Sequence, residues 1–111
     1  MNIFIRGELS VELENGFTVN SSIMELLFIV DEIGSLNAAA KKLGVSYSHS
    51  WNMLNKLNCQ LGTPVVITRR GGAGGGIAKL TPEGKFLLRR YEVIRDKFSD
   101  ILNGYEFSIN Y

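Results

Sequence analysis

A helical pattern in the middle of the chain stops and restarts almost at once, and this break constrains the fold more than any other feature. The run LNAAAKKL, residues 36–43, has helical spacing and meets Gly44, a residue type that commonly ends helices. Ser46 can then cap a second run, YSHSWNMLNKLNCQLG, at residues 47–62. A small residue, Ala40, stands four positions before Gly44. Two helices joined by so short a turn form a helix-turn-helix arrangement, with a plain helical hairpin inside a bundle as the alternative.

The second of these helices has two different sides. Its apolar spacing predicts a buried side made of Met53, Leu54, Leu57 and Leu61. The other side offers hydroxyl, amide and ammonium groups without a carboxylate, and such groups hydrogen-bond to DNA bases and phosphates. Trp51 either wedges the two helices together or rests on a sugar-phosphate backbone. The residues of this helix expected to contact DNA are Ser46, Tyr47, Ser48, Asn52, Asn55 and Lys56.

Charge is distributed unevenly along the chain. Residues 1–32 carry one basic and six acidic side chains, a net charge of −5, whereas residues 83–111 carry five of each. Between them, residues 33–82 contain six basic side chains and no Asp or Glu. A span without carboxylates favours contact with a polyanion. Within it, Lys41 and Lys42 are expected to contact DNA phosphates or to steer the chain toward them.

The stretch TRRGGAGGGIAK, residues 68–79, holds five glycines beside basic residues. Their spacing matches neither the dinucleotide-binding fingerprint nor the P-loop, so a nucleotide site is excluded. The β-branched run VVITRR precedes the glycines and IAKL follows them, which predicts two strands joined by a loop, a wing. A disordered surface linker is the alternative. The wing residues expected to contact DNA are Arg69, Arg70 and Lys79.

Two further segments precede the helix-turn-helix. Residues 1–20 alternate apolar and polar side chains, and Asn15-Gly16 is a hairpin turn signal, so this segment is expected to be β. Residues 21–33 have helical spacing, with Ser21 or Ser22 as the expected cap and Gly34 as the end. The apolar stripe of this helix is expected to be Ile23, Leu26, Leu27, Val30 and Ile33.

The last helix is expected to begin after Thr81, which can cap it, with Pro82 at its first position. Its apolar residues recur at a period near 3.5, which is typical of a helix that pairs with another helix. The alternative is that the stripe covers the chain's own core. The residues expected to form a dimer interface are Leu87, Tyr91, Ile94, Phe98 and Ile101.

Composition excludes several classes of protein. Cys59 is the only cysteine and His49 the only histidine, so neither an intramolecular disulfide nor a zinc site can form within the chain. We expect Cys59 to pack against other apolar groups. His49 has no acidic residue near it in sequence, so we expect no catalytic triad, no enzymatic activity, no cofactor and no metal. The chain also has no signal peptide and no apolar run of about 20 residues, so we expect a cytoplasmic protein without a membrane partner.

Three sequence segments, LNAAAKKLGVS, NKLNCQLGTPVVITR and LTPEG, resemble the winged helix-turn-helix of LysR-type regulators. The resemblance is closer to the ModE-type, molybdate-responsive regulators and covers residues 21 to about 103. It rests on Val45-Ser46-Tyr47, on Trp51 preceded by Ser50, and on the glycine-rich wing leading to a Leu-Thr pair. The family more often has Ala at the position of Ser50.

The resemblance implies binding to double-stranded DNA as a homodimer, with the second helix in the major groove and the wing on the backbone. Full-length family members sense molybdate through C-terminal oxyanion-binding domains. The chain ends at Tyr111, so we expect it to lack that domain. Either a separate protein senses the effector, or regulation proceeds without one.

These features together predict a mainly α fold with a small β component: a winged helix-turn-helix with an N-terminal β segment and a long C-terminal dimerisation helix. We expect a single domain over residues 1–111. Within it we expect the β segment at 1–20, three helices at 21–62 with the helix-turn-helix at 36–62, the wing at 63–80 and the dimerisation helix at 81–104. A winged-helix module that binds protein rather than DNA is the alternative function.

Overall fold

The computed structural model describes residues 1–69, 76–104 and 107–109. Within these ranges, the helices are α1 (Ser21–Ile33), α2 (Leu36–Leu43), α3 (Tyr47–Leu61) and α4 (Pro82–Asn103). The strands are β1 (Asn2–Ile3), β2 (Val11–Glu12), β3 (Thr18–Val19), β4 (Val66–Arg69), β5 (Ile77–Leu80) and β6 (Phe107–Ser108). They form antiparallel pairs: β1 with β6, β2 with β3, and β4 with β5. The predicted fold class, mainly α with a small β component, is confirmed.

Short-range cap signals fix most helix ends as predicted. The hydroxyl oxygens of Ser35, Ser46 and Thr81 each accept a hydrogen bond from a backbone N–H three residues later, at 3.1 to 3.2 Å. Gly34 and Gly44 end α1 and α2 in the left-handed conformation, with φ of +75° and +74°. That conformation strains residues with a Cβ, which explains why a glycine follows the C-terminal end of each of these two helices.

The predicted cap of α1 was wrong. Asn20, rather than Ser21 or Ser22, is the N-cap residue, and its Oδ1 accepts a hydrogen bond from the backbone N–H of Ile23 at 3.0 Å. Asn20 has the extended backbone that a cap requires, whereas both serines already lie within the first helical turn. The Ser21 hydroxyl instead donates a hydrogen bond to the Glu8 carboxylate.

Helix α1 lies at the centre of the core, where α2, α3, α4 and β5 all contact it. Because it is covered on several sides, Met24 and Ile29 are buried in addition to the predicted stripe. The last member of that stripe, Ile33, is 44% exposed because it lies at the end of the helix, so its predicted burial was wrong. The other stripe residues are buried as expected: Ile23, Leu26, Leu27 and Val30.

The base of the wing is attached to both α3 and α4. The Asn58 side chain accepts a hydrogen bond from the Val65 N–H at 2.8 Å and donates one to the Val66 carbonyl at 3.3 Å. The Thr81 hydroxyl donates to the Pro64 carbonyl at 2.8 Å, and the Thr81 N–H donates to the Val65 carbonyl at 3.0 Å. These bonds fix the position of β4 and β5 relative to the helix-turn-helix.

The N-terminal segment contacts the rest of the chain at several places. Strands β2 and β3 form the predicted hairpin, with Gly16 at φ +88° in the turn, and the Asn15 amide donates to the main-chain and side-chain oxygens of Gln60 at 3.2 and 3.1 Å. Gly7 packs directly against the Phe98 ring of α4. The pairing of β1 with β6 was not predicted. The two strands lie near opposite ends of the chain, and no local turn signal joins them.

Candidate nucleic-acid interface

Helix α3 has the two sides that its sequence predicts, with one exception. Leu54 and Leu57 are buried, and Met53 and Leu61 pack at the edge of the core. Cys59 is exposed, so its predicted packing was wrong; it lies on the opposite side of the helix from Leu54 and Leu57. The residues predicted to contact DNA are all exposed: Ser46, Tyr47, Ser48, Asn52, Asn55 and Lys56.

A groove of about 560 Å³ separates the N-terminal half of α3 from the wing. From α3 it is lined by Tyr47, Ser48, Trp51 and Asn52, and from the wing by Thr68, Arg69, Gly76 and Ile77. The fold therefore brings three of the predicted helix residues, Tyr47, Ser48 and Asn52, to one surface with the predicted wing arginine Arg69, although they are separated from it in sequence.

Asn55 lies beside this groove rather than in it. It lines a smaller recess of about 100 Å³ together with Trp51, Asn58 and Thr68. Asn58 was not predicted as a site residue, because its role depends on the wing strand that it binds and not on helical spacing. Its effect on the site is indirect: it holds the base of the wing next to α3.

The Trp51 ring contributes to both the groove and the recess and is 44% exposed. Leu36 of α2 lines both cavities as well. The ring therefore has one part beside the helix-turn-helix core and another part open to solvent. Whether Trp51 wedges the two helices together or rests on a sugar-phosphate backbone stays a prediction.

Lys56 extends away from the groove. Its ammonium group lies 5.5 Å from the centre of the Phe17 ring of the N-terminal hairpin, within cation–π range. Together with Phe17 and His49 it lines a shallow depression on the far side of α3. Lys56 is thus at the margin of the predicted surface.

The other predicted basic residues surround the groove without lining it, apart from Arg69. Lys41 and Lys42 are exposed in the last turn of α2, where cations favour the negative end of the helix dipole. Lys79 pairs with Ile67 across the wing and lines a hollow of about 680 Å³ on the wing's outer side. Arg69 borders both cavities. Arg70 and the glycines at 71–75 lie outside the described residues.

The ion pairs found among the described residues lie away from this surface. Arg89 of α4 bonds Asp31 of α1 at 2.6 Å and Glu92 at 3.0 Å, and Arg95 bonds Asp96 at 3.3 Å. The hydrogen bond and charge of Asp31 raise the pKa of Arg89. Within the part of the chain that the structure describes, none of the basic groups around the groove forms an ion pair, so they remain available to an outside anion.

The predicted dimer residues fall into two groups on α4. Leu87 and Tyr91 pack against the core, and Phe98 is half-buried against Gly7. Ile94 and Ile101, seven residues apart, are 56% and 59% exposed. Phe86 and Val93 are also exposed on α4, again seven apart, and this spacing in the sequence could have identified them.

Comparison with known families decides the family of the chain. The family model for bacterial regulatory helix-turn-helix proteins of the lysR family matches residues 22–85, from the start of α1 into α4. The chain belongs to the lysR family. This region of the lysR-family chain includes the whole groove between α3 and the wing.

Two curated relatives share most of this lysR-family chain. The molybdenum-pterin-binding protein MopB of Rhodobacter capsulatus is 35% identical over 95 residues, covering 86% of this chain and 35% of MopB. The DNA-binding transcriptional dual regulator ModE of Escherichia coli K12 is 32% identical over 99 residues, covering 86% of this chain and 37% of ModE. The chain thus spans a little over a third of the length of these relatives.

Two solved structures share the fold at 26% sequence identity. ArgP from Mycobacterium tuberculosis has a TM-score of 0.61 and covers 77% of this chain and 30% of its own. The CbnR DBD, solved in complex with DNA, has a TM-score of 0.56 and covers 75% of this chain and 93% of its own. In the described parts of this lysR-family chain, no helix is long and apolar enough to cross a membrane.

Proposed function

We propose that this chain binds duplex DNA in a sequence-specific manner and regulates transcription as a homodimer. The observation that carries the proposal is the groove between α3 and the wing. There the exposed polar residues Ser48 and Asn52 of α3 face the same surface as Arg69 of the wing. Membership of the lysR family and the likeness to the DNA-bound CbnR DBD support it.

In the proposed complex, the N-terminal half of α3 enters the major groove, which is wide enough for a helix. Ser46, Ser48, Asn52 and Asn55 then donate to or accept from base edges and nearby phosphates. Arg69 is placed beside the same groove by the wing and contacts the backbone or a narrow minor groove.

The remaining basic residues are proposed to act on the flanks. Lys56 lies next to Phe17, so we assign it to a phosphate and not to a base. Lys41, Lys42 and Lys79 are exposed outside the groove and increase affinity by steering and by counterion release. We extend the same role to Arg70, which continues the wing sequence after Arg69.

The proposal is tested by electrophoretic binding to genomic DNA fragments over a range of salt concentrations. If about four to six phosphates per subunit are contacted, the logarithm of affinity falls with the logarithm of salt with a slope near −0.9 per phosphate. Arg69→Glu should weaken binding to every fragment and flatten this slope. The control is Arg6→Glu, a charge reversal in the N-terminal segment outside the groove.

A second candidate function, a winged-helix module that binds protein, is favoured by one observation. Ile67 and Ile77 are exposed on the wing, and the hollow on its outer side is lined mainly by apolar groups. In the binding assay this function gives weak binding to DNA that does not depend on salt. The acid-free span of residues 33–82 argues for DNA instead.

Dimerisation is proposed to use the exposed apolar residues of α4. Val93, Ile94 and Ile101 remain uncovered by the described parts of the chain, whereas the neighbouring Leu87 and Tyr91 pack inward. Pairing two copies through this face places two α3 helices on one duplex, one or more helical turns of DNA apart.

We also propose a link to molybdenum, which rests on the similarity to the molybdenum-pterin-binding protein MopB alone. In this proposal a separate protein senses the molybdenum compound, and this chain supplies the contact with DNA. The test is whether sodium molybdate changes the affinity of the purified chain for its DNA. We expect no change.

A regulator of this kind acts in the cytoplasm and has no enzymatic activity.

A further inference from the structure

The side of α3 nearest the wing carries two aromatic rings that the core does not cover. Tyr47 and Trp51 are four residues apart and therefore lie one above the other on the helix surface. Tyr47 is 47% exposed and Trp51 is 44% exposed, and both line the groove. Across the groove, Ile77 of the wing is 56% exposed. The proposed DNA-contacting surface is thus partly apolar.

Polar groups lie directly beside this apolar strip. Ser48 and Asn52, again four residues apart, line the same groove. An amide donor next to an apolar ring matches the edge that thymine presents in the major groove, where the O4 acceptor stands beside the 5-methyl group. The other bases do not combine an acceptor with a methyl group there.

We propose that Tyr47 and Trp51 determine specificity by packing against thymine 5-methyl groups, with Asn52 donating to a neighbouring O4. The inference rests on the proposed DNA binding and adds the kind of base that the groove selects. It also gives the exposed part of the Trp51 ring a contact with a base. If the ring rested on sugar and phosphate instead, removal of the thymine 5-methyl group would not change the affinity for DNA.

The experiment replaces single thymines by deoxyuridine in one duplex that the chain selects from genomic fragments. This change removes only the methyl group and keeps O4. Loss of a contact to one methyl group should weaken binding about fourfold, since burial of such a group contributes about 0.8 kcal/mol. We expect that decrease at one or two thymines in each half-site. Trp51 is the only tryptophan of the chain, so its fluorescence provides a second readout of binding.

Variants show which residues detect the methyl group. Tyr47→Ser and Trp51→Gln should each bind the thymine and deoxyuridine duplexes with nearly equal affinity at the thymine they contact. Trp51 also lines the recess beside Leu54, so circular dichroism is needed to check that this variant folds. Tyr47 does not line that recess, so Tyr47→Ser keeps the test decisive if Trp51→Gln fails to fold. Phe4→Ser, at an exposed aromatic residue outside the groove, is the control and should keep the fourfold difference.

Two results would overturn the inference while leaving DNA binding intact. One is equal affinity of the unaltered chain for all deoxyuridine duplexes. The other is a fourfold difference that persists at every sensitive thymine in Tyr47→Ser, because at least one of these thymines should lose it if Tyr47 contacts a methyl group. Failure of the chain to bind any fragment is a distinct result that overturns the proposed function, and the inference with it.

Discussion

Gly84 occupies a position in the first turn of α4 where a larger residue does not fit. A Cβ atom there would overlap the carbonyl oxygen of Val65 at the base of the wing. That carbonyl is held in place because it also accepts the hydrogen bond from the Thr81 N–H. The glycine in LTPEG therefore allows α4 to approach the wing closely.

Gly84→Ala should accordingly destabilise the fold by about 1–3 kcal/mol, the usual range for forcing an extra group into a packed site. The matched control is Gly104→Ala, because a Cβ at Gly104 would meet its nearest atom at 3.4 Å. Chemical denaturation measures both. Equal stability of the two variants would contradict the close approach.

Two asparagines of α3 should separate stability from DNA binding. Asn58→Ala leaves the Val65 N–H without its partner, and an unsatisfied buried group costs about 1–3 kcal/mol. Asn55→Ala removes an exposed side chain, so we expect a stability change within about 0.5 kcal/mol and weaker DNA binding. Denaturation curves and binding assays on both variants check this. A stable Asn58→Ala protein would show that the wing base is held by other contacts.

At the scale of elements, the helix ends show why some boundaries could be predicted and one could not. A cap requires a polar side chain at the right backbone position, and the sequence NSS offers three such residues at 20–22. Only the path of the chain leaving β3 decides which of them has the extended backbone. The other caps followed from adjoining signals in the sequence. Ser35 and Ser46 closely follow the helix-ending glycines Gly34 and Gly44, and Thr81 directly precedes Pro82.

The cap assignment of α1 gives a test. Asn20→Ala should reduce the free energy of unfolding by about 1 kcal/mol, since it removes the acceptor for the Ile23 N–H. Ser22→Ala is the control and should be neutral or slightly stabilising, because alanine has the higher helix propensity. The reverse order of the two stabilities would restore a serine as the cap.

At the scale of the whole molecule, the chain is elongated, with extents of 63 × 33 × 20 Å. Helix α4 accounts for much of this length, since 22 residues of α-helix measure about 33 Å. Its first half packs against the core, while its second half contacts the N-terminal segment through Phe98. Exposed apolar residues along such a helix are typical of an interface between subunits.

The double variant Ile94→Ser, Ile101→Ser should sediment as a monomer and lose most of its affinity for a two-site DNA, because each subunit then binds alone. Its circular dichroism should stay unchanged, since both side chains are exposed. Ile5→Ser, an exposed apolar residue outside α4, is the control and should remain dimeric. Dimers that persist in the double variant would place the interface elsewhere.

The sequence by itself determined the features that depend on neighbouring residues: the order of the helices, the Asn15-Gly16 hairpin, the wing strands and the acid-free span that suggests DNA. These follow from turn chemistry, periodicity and charge, which act over a few residues. Only the tertiary structure decided which predicted residues share a surface. Arg69 lines one groove with Tyr47 and Ser48. The Lys56 side chain lies over the Phe17 ring, and Asn58 binds the wing strand through two hydrogen bonds. The tertiary structure also covered Phe98 while leaving Ile94 exposed, because burial depends on contacts between segments distant in sequence.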